Sequence, residues 1–162
     1  MFYELRIYDI KPGRLGDFVA RFGQNSGQIG AYKRSGIDLV GCWTDDIGTS
    51  NRFTYMLRWK DNNDKETNWK TFVTDKQWTK ERAQSEKTDG PWVINSQNSY
   101  LKLAPYSSEP RISKPVTELR IYTTAPGKMA ELHERFTNYT MDFFAKHHID
   151  TIGFWTHEVG NS

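Results

Sequence analysis

Glu4, Arg6 and Tyr8 stand at alternate positions near the start of this chain, and they are the residues best placed to do chemistry. A carboxylate, a guanidinium and a phenol at this spacing share one side of an extended strand. The arginine could anchor an anion, and Glu4 or Tyr8 could handle a proton. The trio returns as Glu118, Arg120 and Tyr122. There it lies within Thr117-Glu118-Leu119-Arg120-Ile121-Tyr122, a near copy of Tyr3-Glu4-Leu5-Arg6-Ile7-Tyr8. Pro-Gly follows each copy at the same distance. A second echo matches Gly41-Cys42-Trp43-Thr44 and Ile47-Gly48 to Gly153-Phe154-Trp155-Thr156 and Val159-Gly160. Repetition of this kind says that one folding unit is written twice.

The elements that must position these residues follow from period and punctuation. Phe2 to Ile10 alternates as a strand does, with Tyr3, Leu5 and Ile7 on one side and Glu4, Arg6 and Tyr8 on the other. Lys11-Pro12-Gly13 ends it. Leu15, Phe18, Val19 and Phe22 then fall at helical spacing, and the glycines at 23, 27 and 30 weaken the later turns. Ile37 to Thr44 and Arg52 to Trp59 read as a hairpin of strands. Helices are expected from about Asp61, through Trp69, Phe72 and Val73, and again from Asp75 to about Ser85. Gly90-Pro91 breaks the second, and Trp92 to Leu103 forms a fourth strand.

The order β-α-β-β-α-β satisfies right-handed crossovers as a ferredoxin-like sheet with its first and third strands central. Three prolines and three serines mark 105–115 as a linker. Val116 to Thr123 then repeats strand one, Met129 to Phe143 repeats the helix, and Thr151 to Thr156 repeats strand two. The fold class expected is α+β: a βαββαβ module over 1–104 and a partial second repeat, βαβ, over 116–162. The second copy stops where the first has Ser50, so its third strand has no counterpart. Truncation, completion by another chain and a nonstandard use of the half module all remain open, with truncation the first expectation.

A net charge of +2 in 162 residues gives no reason to expect a nucleic-acid partner. No apolar run approaches the roughly 18–20 residues of a spanning helix. Met1 is followed at once by strand-like residues, so no signal peptide is expected, and the single Cys42 suits a reducing compartment. A cytoplasmic location is the expectation. No spacing typical of zinc ligands and no phosphate-cradling glycine motif occurs, so neither metal nor cofactor is expected.

Several ordered blocks together resemble the NIPSNAP family: Glu4-Leu5-Arg6 with Tyr8, Lys11-Pro12-Gly13, Leu39-Val40-Gly41 with Trp43-Thr44, and Ile47-Gly48 with Asn51. Tyr55-Met56-Leu57-Arg58-Trp59 and Gly90-Pro91 complete the set. The resemblance covers the first module and about half of a second. It implies a dimeric α+β-barrel in which two ferredoxin-like modules pack sheet on sheet, from two chains or from tandem copies, and hence a homo-oligomer. It implies little about activity, because relatives of this fold include cofactor-independent oxygenases, isomerases and lyases as well as haem-handling enzymes.

In such a barrel the more apolar side, Tyr3, Leu5 and Ile7 with Phe53, Tyr55 and Leu57, is expected under the helices. Glu4, Arg6, Tyr8, Thr54, Met56 and Arg58 would then face the interior. Two readings stay open. Arg6, Arg58 and Tyr8 bind a small anionic or aromatic ligand, with Arg120 and Tyr122 as their counterparts and Trp43 as a stacking surface; or Glu4 pairs with an arginine across strands and fixes register. Trp43 and Trp155 otherwise read as core or interface, and Trp59, Trp69, Trp78 and Trp92 as packing. Cys42 reads as a small buried residue, and His133 as a partly buried helix histidine. His157 takes the place of Asp45 and is a lone acid/base candidate by elimination. The functions carried forward are ligand binding, a metal-independent small-molecule enzyme, and a non-catalytic dimerisation or adaptor protein.

Overall fold

The computed structural model describes residues 1–159 and falls into two compact units, Met1–Ser99 and Tyr100–Ser162. In the first unit β1 (Phe2–Ile10) leads into α1 (Leu15–Gly23) and α2 (Gln28–Ser35). Strands β2 (Asp38–Thr44) and β3 (Arg52–Trp59) and helices α3 (Asn62–Val73) and α4 (Lys76–Ser85) follow, and strand β4 (Val93–Leu103) begins in this unit and ends in the second. The strands lie in the order β2-β3-β1-β4, with β1 and β3 central as the crossover argument requires. This is a ferredoxin-like α+β fold.

Where one long first helix was conceivable, the chain makes two. Gly27 and Gly30 press against backbone at the break: a Cβ on Gly27 would sit 1.7 Å from the Arg21 carbonyl, and one on Gly30 1.8 Å from that of Asn25. Only glycine permits so close an approach. The break turns Gln28 and Tyr32 of α2, one helical turn apart, into the buried layer.

The register decides which residues meet the helices. Paired residues in an antiparallel ladder share a face, and here Glu4 pairs with Leu57, Arg6 with Tyr55 and Tyr8 with Phe53. Phe53, Tyr55 and Leu57 belong to the core with Phe18, Phe22, Tyr32, Phe72 and Trp78 of the helices. Glu4, Arg6 and Tyr8 therefore lie in the sheet–helix layer, which corrects the face expected for them. Tyr3, Leu5 and Ile7 share the opposite face with Arg58, Met56 and Thr54. The core is largely aromatic, with Phe22 4.6 Å from Phe53 and 5.5 Å from Tyr55 between ring centroids.

Asp61 and Asp75 cap α3 and α4 by accepting from the Asp64 and Trp78 backbone N–H groups. Asp75 also takes two hydrogen bonds from Arg34, at 2.7 and 2.8 Å. The Arg34 guanidinium above all holds its carboxyl down to about 2. The folded value lies below the ordinary one, so this contribution is complete above the usual carboxylate range and fades as pH falls through about 2. Asp75→Asn keeps a capping oxygen and loses the charge. Its expected cost in urea unfolding at neutral pH is about 1 kcal/mol, shrinking as the pH approaches that value.

In the second unit the helical repeat forms α5 (Met129–Arg135), a π-helical turn (Phe136–Thr140) and α6 (Met141–Lys146). Tyr106, Phe136 and Phe154 make a small aromatic core, their centroids 5.5 to 5.7 Å apart. His133 is partly buried, with Nδ1 3.2 Å from the Tyr106 hydroxyl. The second strand of the repeat lies at β5 (Trp155–Val159), later than the expected Thr151 to Thr156, and pairs with β4 from Leu103↔Trp155 onward. Gly160 of the second echo lies outside the described residues. Val116 to Thr123 is not a strand, contrary to its near identity with β1. Leu119 is 53% and Ile121 63% exposed there. In the first unit β1 has β3 beside it, whereas no described strand plays that part for 116–123, so its alternating pattern has no ladder to join.

Candidate functional site

Strands β1 and β3 and helices α2 and α3 bring one polar group of side chains together beneath the helices. Glu4 is 1% exposed. Its Oε2 accepts from Trp59 Nε1 at 2.9 Å, and its Oε1 lies 3.3 Å from Arg6 Nη1. The pair is made along one strand, not across two as the register-fixing reading has it. The Arg6 guanidinium carbon sits over three rings, 4.5 Å from the centroid of Trp69, 5.6 Å from Tyr8 and 5.8 Å from Tyr55. Contacts of this kind stabilise a cation, more so when water is excluded.

Behind the arginine runs a line of hydroxyls. The Gln28 amide donates to the Tyr32 hydroxyl at 2.5 Å, Tyr32 donates to Tyr55 at 3.2 Å, and the Tyr55 and Tyr8 hydroxyls share a bond of 2.7 Å. Burial, followed by the neighbouring phenols, pushes Tyr55 well above its ordinary pKa. Burial and then Tyr8 do the same to Tyr32. Both phenols therefore stay protonated. Burial, the largest influence, lowers the pKa of Arg6, and the negative charge that Tyr55, Tyr8 and Glu4 can carry raises it, with a net rise above its ordinary value.

Two donors of this cluster are left without a partner. Two bonds join the three phenols, and the bond at Tyr32 uses a proton of Gln28, so one phenolic proton on Tyr8 or Tyr55 is left over. Arg6 Nε is buried and has no acceptor among the described residues. Glu4 occupies Nη1, and the opposite edge, which carries Nε and Nη2, has no acceptor at Nε among the described residues. No oxygen of the described residues meets the Arg6 Nε–H.

The other sequence candidates lie elsewhere. Arg58 is on the opposite face from Arg6, bound to Asp38 through Nε at 2.8 Å and Nη2 at 2.6 Å. With Met1, Gly36, Lys60 and Asp64 it lines a shallow depression that does not include Arg6. Trp43 pairs with Thr54, and so it too lies on the face away from Arg6. Cys42 is exposed on the edge strand β2, not buried as expected, although partial burial pushes its thiol up. Arg120 is held by Glu118 at 2.7 Å in an exposed pair, and Tyr122 is 6.1 Å from Phe136. His157 is exposed on β5 opposite Leu101. Of the candidates, Glu4, Arg6 and Tyr8 gather together beneath the helices, while Arg120 and Tyr122 meet one another in an exposed segment. Tyr55, Tyr32, Gln28 and Trp69 complete the group, and the sequence reading did not assign them to it.

The NIPSNAP family model matches residues 3–108 and 117–162. The chain belongs to the NIPSNAP family. Among solved structures it is similar to an uncharacterized NIPSNAP domain protein from Burkholderia xenovorans. The two are 24% identical, with 67% of this chain and all of the other covered, at a TM-score of 0.58. A NIPSNAP-like domain protein from the same organism gives 22% identity, 70% and 95% coverage and a TM-score of 0.58. A NIPSNAP family protein from Agrobacterium tumefaciens gives 19%, 65% and 94%, and 0.56. At these identities the likeness extends to the fold. No curated protein matches the chain. For this NIPSNAP chain, no helix of the described residues is long and apolar enough to cross a membrane. Among those residues no cluster of three or more histidine, cysteine or carboxylate side chains is arranged to hold a metal.

Proposed function

We propose that the first unit binds a small molecule through a negatively charged oxygen at Arg6, in the layer between β1, β3 and helices α2 and α3. One observation carries this reading: the buried Arg6 Nε–H has no acceptor, beside a phenol with a proton to give. Buried donors left without partners cost about 1–3 kcal/mol each, and an oxyanion would satisfy both. The arginine anchors and the phenol donates a further hydrogen bond. Glu4 balances the charge when the site is empty.

A second reading draws on the Glu4–Arg6 pair itself. There the pair only neutralises two buried charges while the Trp59 bond to Glu4 ties β1 to β3, and the module serves to assemble with a second copy of the chain. Thermal unfolding in formate, acetate, benzoate, phosphate or sulfate separates the two. Binding predicts that at least one anion raises Tm with concentration, as mass action requires, and that the rise is lost in Arg6→Gln. That variant is the necessary reference, because phosphate and sulfate stabilise proteins by exclusion as well. Equal responses of both proteins to every anion would remove the binding reading.

A further inference from the structure

Taking the oxyanion reading of the Arg6 site as its basis, we infer that the ligand is a flat, singly charged carboxylate whose unsaturated or aromatic body lies among Trp69, Tyr8 and Tyr55. Three features set this class. The first is the free edge of the guanidinium. Glu4 reaches Nη1, and Nε, which shares the other edge of the guanidinium with Nη2, has no acceptor among the described residues. A carboxylate matches two parallel N–H groups with its two oxygens.

The second feature is charge. Arg6 and the buried Glu4 already cancel one another, so a monoanion leaves the cluster with one negative charge and a dianion with two. Each uncompensated negative charge is costly in a buried setting, so a monoanion is less disfavoured there than the phosphate dianion or a dicarboxylate. The third is the ring environment. Trp69, Tyr8 and Tyr55 surround the guanidinium carbon within 4.5 to 5.8 Å, and Tyr8 and Tyr55 meet edge to face at 5.2 Å. Walls of this kind favour a ring or conjugated chain over a saturated body of the same size. Trp69 is half-buried on α3 and makes the shortest of the ring contacts to Arg6. Its indole is the specificity-determining side chain.

The Arg6 Nε–H resonance in a proton–nitrogen correlation spectrum, assigned by its loss in Arg6→Lys, reads the site directly. Titration with benzoate is expected to move it saturably, and cyclohexanecarboxylate to bind about tenfold more weakly for want of ring contacts. Inorganic phosphate should leave the resonance in place. In Trp69→Leu the resonance still moves with benzoate, but the preference over cyclohexanecarboxylate collapses towards unity. Phosphate binding as tightly as benzoate, or equal affinities for the two carboxylates, would overturn the flat-monocarboxylate assignment and leave oxyanion binding standing. If no anion moves the resonance, both fall.

Discussion

Arg6→Met is expected to lower the unfolding free energy by about 3–5 kcal/mol, the range for a buried ion pair that loses one partner. Methionine fills much of the same volume against Trp69, so the loss is electrostatic more than steric. Glu4 is what makes it large. Its carboxylate is buried, and without the arginine only the Trp59 indole N–H would face it. Glu4→Gln in the same background replaces that stranded charge with a neutral amide whose oxygen still accepts from Trp59. The double variant should therefore recover most of the stability. The two substitutions touch one another, so their effects are strongly non-additive, and a cycle of the four proteins in urea measures the coupling. An Arg6→Met protein within about 1 kcal/mol of the parent would mean that Glu4 is relieved by water or protonation. The double variant also separates stability from binding, since it should be well folded and blind to carboxylates.

The strands and helices of the first unit were legible because their periods are clean and their stops chemically distinct. Pro12-Gly13 falls just past the end of β1, Gly90-Pro91 lies between the turn after α4 and the start of β4, and Asp61 and Asp75 are the caps. The sidedness of β1 was not legible. Both of its faces carry apolar residues, and putting Glu4 and Arg6 away from the helices follows the ordinary cost of burying charge. That cost is met here by an ion pair, an indole N–H and three rings over the guanidinium. Only the register, Arg6 opposite Tyr55, discloses it. Gln28 and Tyr32 were hidden for another reason, because the glycines that make their approach possible also make the stretch look like a poor helix.

Local sequence had its limit at 116–123 too. The pattern that makes β1 a central strand makes none there, because a strand is defined by partners that its own residues do not encode. Placing Arg120 and Tyr122 as counterparts of Arg6 and Tyr8 depended on those partners. Their side chains stand exposed, and the Arg120 head group is held by Glu118 and Tyr122 of its own segment.

Arg21→Ala supplies the second large effect, about 3 kcal/mol, with a different cause and a different consequence. Arg21 on α1 is 5% exposed and holds Ser85 at 2.7 Å and Glu86 at 2.9 Å. Its guanidinium carbon lies 4.4 Å from the Trp92 ring centroid and 5.4 Å from that of Trp78. It looks like Arg6 in every respect but two. No buried nitrogen of Arg21 lacks a partner among the described residues. Burial also prevails over Glu86 and pushes its pKa down, whereas Arg6 is pushed up. Burial works against this charge, and the bond to Glu86 offsets it only in part. The cost of Arg21→Ala therefore lies in the cavity under the indoles and in the exposed need of Glu86, not in a lost attraction. Arg21→Met with Glu86→Gln should consequently come within about 1 kcal/mol of the parent in urea. Both Arg21 variants should keep the full carboxylate response at Arg6, because every donor that Arg21 buries is already used within the fold. If Arg21→Ala abolished that response while remaining folded, the free guanidinium edge could no longer be what distinguishes a ligand anchor from a structural arginine in this protein.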